Sequence, residues 1–400
     1  MAVTKPLRIA IATGGRFHVL DLARELDALG HEVRFYSYVP KARALQFGLP
    51  ARCHVSLLPL MWPFVGWDSL LPKTAPEIRE KLFGFALNRA VMARLDSCDV
   101  FIGMSGLILE AARFAKSKFG ARVYVERGSR HIVSQARILE QTGGQTPSRL
   151  AIERELASYK LADRIAVASG QVVDSFLEED ASLAPKLFKN PYGVDLEQFP
   201  QRKAIPSGPP TVLFVGGWTY RKGADVLSAA MEQLPEARLI HVGAGGDVSF
   251  PNSERFVHHD SVPQWRLGEF YAQAHVFAIA SREEGLALVQ LQALASGLPL
   301  VCTDRTGGGD LSLTPGLASR IRVVSSGDPN LLAKAISSTL PDNHRRSLSR
   351  IDRFCPGAVT ACVMLASLIR KSQCVATPRK TMLASRRGAH RSSQMKDTQK

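Results

Sequence analysis

The sequence lacks several features that would assign a protein to a class at once. Its six cysteines are scattered, and no two of them form a Cys-x-x-Cys pair. This spacing argues against a metal cluster and provides no framework of disulfides. Several of the cysteines lie in apolar segments, which is typical of small core residues. We therefore expect no bound metal and a reducing, cytoplasmic compartment.

Long apolar runs are missing as well. No stretch reaches the ~18 apolar residues that are needed to span a bilayer. The first apolar run, in MAVTKPLRIAIATGG, stops at Gly14, which is too short for a signal peptide and predicts a buried strand. We expect a protein that is soluble or bound at most to the surface of a membrane.

Acidic residues are scarce at one end of the chain. The formal net charge is +15, and residues 370–400 hold nine Lys or Arg but a single Asp. This segment has little to bury and is predicted to be disordered. It is either a solvated extension or an electrostatic tether to anionic lipid. Nucleic acid is not expected as a partner, because no recognised binding motif accompanies the charge.

The chain does contain two successions of apolar strands and amphipathic helices. The first begins with the strand LRIAIAT (7–13) and the helix FHVLDLARELDALGH (17–31), and the second begins with the strand TVLFVGG (211–217). Each succession predicts a mostly parallel sheet with helices on both faces. Residues 190–210 lie between them, and their five prolines and two glycines predict a linker. The predicted fold class is therefore α/β, with two tandem doubly wound, Rossmann-like domains.

Residues 58–72, LPLMWPFVGWDSLLP, interrupt this pattern. Trp62, Trp67, one Phe and three prolines suit neither a long helix nor a long strand. Two alternatives stay open, a loop packed over the core and an exposed apolar lip. Such a lip would bind a partner molecule or lie at a membrane surface, because Trp favours interfaces of this kind.

Glycine-rich turns follow several of the predicted strands. In open α/β sheets, ligands bind outside the carboxyl ends of the strands, so the cleft between the two domains is the expected site. Gly15 precedes a helix whose N terminus favours anions, although a tight turn is the alternative reading of this position. Gly243 ends another strand, but Val248 stands where the third glycine of a dinucleotide fingerprint belongs. A nicotinamide dehydrogenase is therefore not expected.

Two cations follow the first strand of the second half. Gly217 comes directly after this strand, and Arg221 and Lys222 stand shortly before the next helix. The pair suits a diphosphate, because Arg offers a planar fork of donors and Lys a compact point charge. The alternative is a solvated turn.

The segment REEGLALVQLQALASG (282–297) places a carboxylate before a predicted helix and an amide inside it. Eight residues lead from Glu284 to Gln292, an advance of about 12 Å along a helix. The first-turn N–H groups from Gly285 onward favour negative charge between them. A nucleotide sugar would fit, with its hexose, pyrophosphate and ribose in that order. The alternative is an amphipathic helix with incidental polar residues.

Polar residues also end a strand of the first half, in ERGSRH (126–131). Glu126, Arg127 and His131 crowd the carboxyl end of the predicted sheet. They form either a polar wall that faces the cleft or a set of structural side chains.

Five segments resemble glycosyltransferase family 4 in their order and spacing. They are YKLADRIAVAS, NPYGVDLEQF, VLFVGGWTYRKGADVL, IHVGAGGD and FYAQAHVFAIASREEGLALVQLQALASGLPLVCTDRTGGGDL, and RGSRHI resembles an acceptor-domain segment of some members. The resemblance runs through residues 7–371 and implies a GT-B architecture, in which two Rossmann-like domains face a central cleft. It implies retaining transfer of a sugar from a nucleotide diphosphate sugar without a metal or other cofactor, in polysaccharide or glycolipid biosynthesis.

The resemblance also implies roles for individual residues. Lys222 would neutralise the donor phosphates, Glu284 would contact hydroxyls of the donor sugar, and His131 would lie near the reacting centre. The donor-binding residues implied in addition are Gly15, Gly217, Arg221, Gly243, Gly285 and Gln292. The residues expected on the acceptor side are Arg16, Arg127, Trp62 and Trp67.

Two positions depart from the family pattern. Gly217 replaces a frequent Arg, for which Arg221 is the expected substitute, and Gln292 replaces the second glutamate of the E-x7-E motif. An amide gives up charge-assisted hydrogen bonds of about 1.5–3 kcal/mol for neutral ones of about 0.5–1.5 kcal/mol. Weaker or altered donor binding would follow. A nucleotide-sugar 2-epimerase and a non-catalytic nucleotide-sugar binder are the alternatives that share the fold.

The predicted domains follow the same plan. Residues 1–195 form an acceptor-binding domain and residues 196–355 a nucleotide-sugar-binding domain. A helix at 356–371 is expected to pack back on the first domain, and residues 372–400 form the basic disordered tail. The expected partners are a nucleotide-sugar donor and a saccharide or lipid-linked acceptor, with peripheral contact to the inner face of an anionic membrane as an open alternative.

Overall fold

Two parallel β-sheets, one in each half of the chain, organise the protein. The computed structural model describes residues 5–68 and 76–345. The helix predicted at 356–371 and the basic tail predicted at 372–400 lie outside the described residues, so both stay predictions.

The sheet of the first domain has the strand order β3-β2-β1-β4-β5-β6-β7, and all its neighbouring strands are parallel. Its strands are β1 Arg8–Ala12, β2 Glu32–Ser37, β3 His54–Ser56, β4 Val100–Met104, β5 Arg122–Arg127, β6 Arg164–Val167 and β7 Leu187–Lys189. The helices of this domain are α1 Val19–Ala28, α2 Lys41–Gln46, α3 Leu58–Asp68, α4 Pro76–Arg94, α5 Leu109–Phe119, α6 Ile132–Thr142, α7 Arg149–Leu161 and α8 Gly170–Glu179.

The sheet of the second domain has the order β10-β9-β8-β11-β12-β13 and is also parallel. Its strands are β8 Thr211–Val215, β9 Arg238–Val242, β10 Phe256–His259, β11 Val276–Ile279, β12 Leu300–Thr303 and β13 Ile321–Val324. The helices are α9 Ala224–Glu232, α10 Leu267–Gln273, α11 Leu288–Ala295, α12 Gly308–Ser312 and α13 Pro329–Arg345. The strand order reverses beside β1 and beside β8, which are the places where such sheets bind ligands. The predicted α/β class with two doubly wound domains is confirmed.

The first sheet separates two apolar clusters, which explains its apolar sequence. Ile9 and Ile11 of β1 lie in one cluster together with Leu22 of α1. Ala10 and Ala12 lie in the other cluster. Successive residues of a strand point to opposite faces, so a strand that is covered on both faces needs an unbroken apolar run.

The segment between β7 and β8 contains no helix or strand, as the linker prediction requires. Its Phe199 is 1% exposed and belongs to the core of the second domain. The backbone N–H of Arg202 donates to the carbonyl of Ser296 over 3.1 Å. The chain therefore joins the second domain before β8 begins, and the boundary predicted at 195/196 falls inside this segment.

The sequence analysis predicted no helix in residues 58–72, but Leu58–Asp68 form α3, a helix of average length. Pro59 occupies the first turn, where a missing N–H leaves no bond unmade. Met61 is fully buried in the core of the first domain. This packing stabilises a helix that contains a second proline, Pro63.

Two helices begin later than the sequence predicts. Helix α1 begins at Val19 rather than at 17, because Phe17 has a left-handed backbone with φ 42°. Helix α11 begins at Leu288, after the extended residue Ala287. The first-turn N–H groups of α11 therefore do not begin directly after Glu284, as the sequence analysis expected, but only after Ala287.

Gly223 and Gly120 offer a matched test of the packing in the second domain. Both have a left-handed backbone, with φ of 69° and 67°. A Cβ at Gly223 would lie 2.0 Å from the carbonyl oxygen of Ala280, whereas a Cβ at Gly120 would meet nothing within 4 Å. We expect Gly120→Ala to lower the free energy of unfolding by about 1–2 kcal/mol, which is the backbone cost alone. Gly223→Ala should cost about 1–3 kcal/mol more, because the added methyl overpacks the turn.

Chemical denaturation of the two variants measures this difference. Equal losses of unfolding free energy would contradict the close contact between the turn before α9 and the end of β11.

Candidate active site

Strands β8 and β11 are neighbours, so the segments that follow them meet at one edge of the second sheet. The first segment contains Arg221 and Lys222, and the second contains Glu283 and Glu284. Topology thus brings two cations beside two carboxylates that lie 62 residues further along the chain.

Arg282 joins these two segments. Its guanidinium donates to both carboxylate oxygens of Asp225 over 2.6 Å and to the carbonyl of Tyr220 over 2.8 Å. Its backbone N–H donates to the carbonyl of Arg221 over 3.0 Å. The segments are therefore held as one unit, and the charged side chains on them have fixed relative positions.

The ammonium group of Lys222 contacts the carboxylate of Glu284. Both side chains are largely buried, 20% and 11% exposed. Burial and the neighbouring Arg221 guanidinium lower the pKa of Lys222, and Glu283 acts in the opposite direction. The contact with Glu284 favours the charged ammonium against the lowering effects. Two of the residues to which the resemblance gave donor roles thus lie side by side.

Glu283 was not selected by the sequence analysis, although it has no exposed surface and is surrounded by donors. Its carboxylate accepts hydrogen bonds from Arg221 Nε over 2.8 Å and from the backbone N–H of Arg130 over 3.1 Å. It also accepts from Ser129 Oγ over 3.3 Å and from Gln135 Nε2 over 3.1 Å. Burial raises the pKa of this carboxyl, but Arg221 and the hydrogen bonds outweigh burial and lower it. The sequence does contain one signal for Glu283, namely that it is a second acidic residue directly beside Glu284 in REEG.

The backbones of the two domains touch at Gly285. A Cβ at this position would lie 2.1 Å from the carbonyl oxygen of Gly128. Ser169 Oγ donates to the carbonyl of Gly285 over 2.9 Å, and Gln171 Nε2 donates to the carbonyl of Glu284 over 2.7 Å. A side chain at 285 would hold the domains apart, so glycine is required there by the close approach.

Asp310 makes a second contact between the domains that the sequence analysis did not select. Its Oδ2 accepts from the backbone N–H of Gly170 over 2.8 Å and from Lys189 Nζ over 3.1 Å. Gly170 begins α8, where a carboxylate is favoured by the unpaired N–H groups of the helix.

The turn after β1 contains Gly15, Arg16 and Phe17. Phe17 is 51% exposed and has a φ of 42°, which is an outlier for a bulky residue and is typical of functional sites. The Arg16 guanidinium lies 4.0 Å from the ring centre of Phe47, and this ring lies 6.1 Å from that of Trp265 in the second domain. Arg16 is thus placed near the junction of the domains, and its acceptor-side role stays a prediction.

Positions 243 and 217 differ in whether the structure requires a glycine there. A Cβ at Gly243 would lie 2.0 Å from the carbonyl oxygen of Gly216, and its φ is 157°. A Cβ at Gly217 would meet Thr219 Cγ2 at 3.6 Å, which is ordinary contact. The structure therefore explains Gly243 by close packing of two turns, whereas it gives no steric reason for glycine at 217.

Gln292 is buried, and its Oε1 accepts a hydrogen bond from the Tyr271 hydroxyl over 2.9 Å. It lines a cavity of about 280 Å³ together with Asp21 and Phe47 of the first domain. Neither Lys222 nor Glu284 belongs to the walls of this cavity. Gln292 and Glu284, the two ends of the expected donor site, therefore do not both line this cavity.

Arg127 and His131 are packed inside the first domain, which favours the structural alternative for ERGSRH. Arg127 donates to Glu155 Oε1 over 2.8 Å and to Gln135 Oε1 over 2.7 Å. His131 caps α6 and is 2% exposed, with its ring centre 5.0 Å from that of Phe176. Burial lowers the pKa of His131 to about 4. Neither side chain forms the expected wall of the cleft.

Helices α3 and α4 expose several large apolar side chains, which we call the apolar face. Trp62 is 65% exposed, so the structure favours the exposed lip over a loop packed on the core. The other residues of the apolar face are Leu60, Phe64, Val65, Ile78, Leu82 and Phe85. The side chain of Trp67 lies outside the part of the chain that the structure describes.

Three cysteines of the described residues, Cys53, Cys98 and Cys302, are buried free thiols, as expected for core residues. Over residues 5–68 and 76–345, no group of three or more His, Cys, Asp or Glu side chains is arranged to hold a metal ion. No helix in these ranges has both the length and the apolar character of a membrane span.

Two family models match the chain, one in each domain. The model of the glycosyl transferase 4-like domain matches residues 13–186, and that of glycosyl transferases group 1 matches residues 209–342. The chain belongs to glycosyltransferase family 4.

Curated relatives of this family 4 chain are similar over part of their length. The D-inositol 3-phosphate glycosyltransferase of Xylanimonas cellulosilytica is 28% identical over 219 residues, which are 46% of this chain and 52% of that protein. The GDP-mannose-dependent alpha-mannosyltransferase of Mycobacterium tuberculosis is 30% identical over 167 residues, which are 39% and 43% of the two chains. This chain thus matches about half of the length of these relatives.

Solved structures confirm the GT-B fold of the family 4 chain. The sucrose-phosphate synthase of Thermosynechococcus elongatus has a TM-score of 0.66 at 20% identity and covers 92% of this chain and 100% of its own. Anabaena HepE in complex with UDP-glucose has a TM-score of 0.61 at 13% identity, with the same shares covered.

Gly285→Ala tests the contact between the domains. The added methyl would overlap the carbonyl oxygen of Gly128, and the domains can relieve this overlap by moving apart. We expect a folded variant whose radius of gyration, measured by small-angle X-ray scattering, exceeds that of the unmodified protein. Gly268→Ala is the control, because a Cβ at this helical glycine meets nothing within 4 Å. An unchanged radius in Gly285→Ala would contradict a close approach at this point.

Proposed function

We propose that the protein transfers a sugar from a nucleoside diphosphate sugar to an acceptor hydroxyl. The observation that supports this best is the contact of Lys222 with Glu284 at adjacent strand ends of the second domain. An ammonium there suits a diphosphate, and a carboxylate suits the hydroxyls of a sugar. A solved structure of the same fold, Anabaena HepE, holds UDP-glucose. The named relatives are a glycosyltransferase and a mannosyltransferase, which favours transfer over epimerisation.

In this proposal the difficult step is departure of the nucleoside diphosphate. Negative charge develops on the bridging phosphate oxygen as its bond to the anomeric carbon breaks. Lys222 and Arg221 would stabilise this charge, because both are held in place before the reaction and need little reorganisation. The side chain of Lys222 is only 20% exposed, which strengthens its interaction with the phosphate, since little water screens it.

We further propose that the configuration of the anomeric carbon is retained. Glu283 is fully buried under four hydrogen-bond donors, and Glu284 is paired with Lys222, so neither carboxylate is placed as a covalent nucleophile. The acceptor hydroxyl would attack from the face that the diphosphate leaves. A bond forms between this oxygen and the anomeric carbon, and the proton of the hydroxyl passes to the departing phosphate oxygen.

The closed contact between the domains supports transfer over hydrolysis. Gly285 and Gly128 meet backbone to backbone, and Ser169 and Gln171 bond to the same segment. Such a closed cleft would keep water away from the anomeric carbon while the acceptor is bound.

The apolar face of α3 and α4 is proposed to lie on an anionic membrane, which would present a lipid-linked acceptor to the first domain. Its apolar side chains would enter the interface between headgroups and acyl chains. The exposed cations Lys81, Arg89 and Arg94 on α4 complement anionic headgroups.

Lys222→Ala tests the donor site. We expect the variant to fold but to lose transfer activity by about 100-fold or more, the usual effect of removing one group that stabilises developing charge. The donor is first identified by a thermal-shift screen of UDP-, ADP- and GDP-sugars, in which a ligand at 100 times its Kd adds about 2.7 kcal/mol of stability. Lys203→Ala, at an exposed position, is the control and should keep both the shift and the activity. Full transfer by Lys222→Ala would rule out its phosphate role.

Sedimentation with vesicles of phosphatidylglycerol and phosphatidylcholine tests the membrane contact. Trp62→Ser combined with Phe85→Ser should weaken binding by about tenfold or more, because each apolar side chain contributes about 1.5–3 kcal/mol when fully buried. Leu313→Ser is the control, since Leu313 is 83% exposed in the second domain. Unchanged binding of the double variant would show that the vesicles bind elsewhere on the protein, for example at the basic tail, and would overturn this proposal.

A further inference from the structure

The carboxylate of Glu283 is bonded by both domains at once. Oε2 accepts from Arg221 of its own domain and from the side chains of Ser129 and Gln135 in the first domain. Oε1 accepts from the backbone N–H of Arg130 over 3.1 Å. Three of the four donors belong to the first domain, so this set of bonds exists only when the domains are closed.

The Arg221 guanidinium is oriented by the same group. Its Nε donates to Glu283 over 2.8 Å, and its Nη2 donates to Ser129 Oγ over 3.1 Å. These two bonds fix the plane of the guanidinium. Within the described residues, Nη1 makes no hydrogen bond, and the side chain is 34% exposed. The donors on Nη1 therefore stay available to an anion.

We propose that Glu283 is a positioning residue that aligns Arg221 for the donor diphosphate in the closed protein. This inference rests on the proposed function. A guanidinium that is already oriented loses little rotamer freedom when it binds an anion, which favours affinity. Gly217 offers no side chain beside Lys222, so the second cation of the site is Arg221.

A purely structural role for Glu283 is the competing explanation. A buried carboxylate between two domains holds them together, as Asp310 does with Gly170 and Lys189. The two explanations differ in what happens when Arg221 is removed first. A positioning residue has no effect on donor binding without the cation that it positions, whereas a clamp between the domains keeps its effect.

Calorimetry with UDP, ADP and GDP on the full chain separates them. We expect Arg221→Ala and Glu283→Gln each to raise the Kd of the nucleoside diphosphate by about tenfold or more, because each removes a charge-assisted contact or its alignment. The double variant should bind no more weakly than Arg221→Ala alone. A double variant whose loss is the product of the two single losses would overturn the proposal.

Two further variants control for loosened domains and for misfolding. Asp310→Asn removes another carboxylate between the domains without touching Arg221, and we expect a smaller change in Kd than for Glu283→Gln. Equal changes in the two variants would assign Glu283 to domain contact alone. Ser129→Ala should raise the Kd in the same direction as Glu283→Gln without leaving a buried charge unpaired, so it tests the alignment of Arg221 if Glu283→Gln fails to fold.

The outcomes also separate this inference from the proposed function. If the unmodified protein binds none of the three nucleoside diphosphates, the proposed donor site fails. If it binds one of them and Glu283→Gln binds it equally well, the donor site stands and only the role of Glu283 is overturned.

Discussion

The arrangement of the site depends on the cost of burying charge. Glu283 and Glu284 are adjacent in the chain and are 0% and 8% exposed. Two buried carboxylates of this kind stay ionised only when cations and hydrogen-bond donors compensate for the lost water. Arg221 and Lys222 supply this compensation from the end of the neighbouring strand. The same requirement fixes how the segments after β8 and β11 lie against each other, and through Glu283 it also fixes how the first domain lies against the second.

The sequence was sufficient for the sheets and for one half of the site. Strands that are covered on both faces are continuous apolar runs, so their positions and their parallel order follow from local composition. Lys222 and Glu284 each follow such a strand, and parallel strands end at the same edge, so their contact could be expected. Glu283 could not be predicted in this way, because its partners Ser129 and Gln135 lie 154 and 148 residues away in the other domain. The local hydrophobic pattern of a sequence does not indicate which loops of two domains will contact each other.

The failures in the first domain have a related cause. A position just after a strand indicates the edge of the sheet, but it does not indicate whether the side chain turns toward the cleft or into the domain. Arg127 and His131 turn inward, because Glu155 and Phe176 on neighbouring helices provide an ionic and an aromatic partner there. The helix Leu58–Asp68 was missed for a similar reason, since packing of Met61 in the core outweighs the low helix propensity of the prolines around it.

The two ion pairs differ in a way that bears on how a donor would enter. A diphosphate brings negative charge to a place where each cation already has a carboxylate, so one of the pairs must open. The Arg221–Glu283 pair is held by three further donors from the first domain, and breaking it would leave Glu283 charged without an exposed surface. In the other pair, the side chain of Glu284 is 11% exposed, whereas that of Glu283 has no exposed surface. In the proposed donor complex, exchange at Lys222 would therefore cost less, and it would release Glu284 to bond to hydroxyls of the sugar.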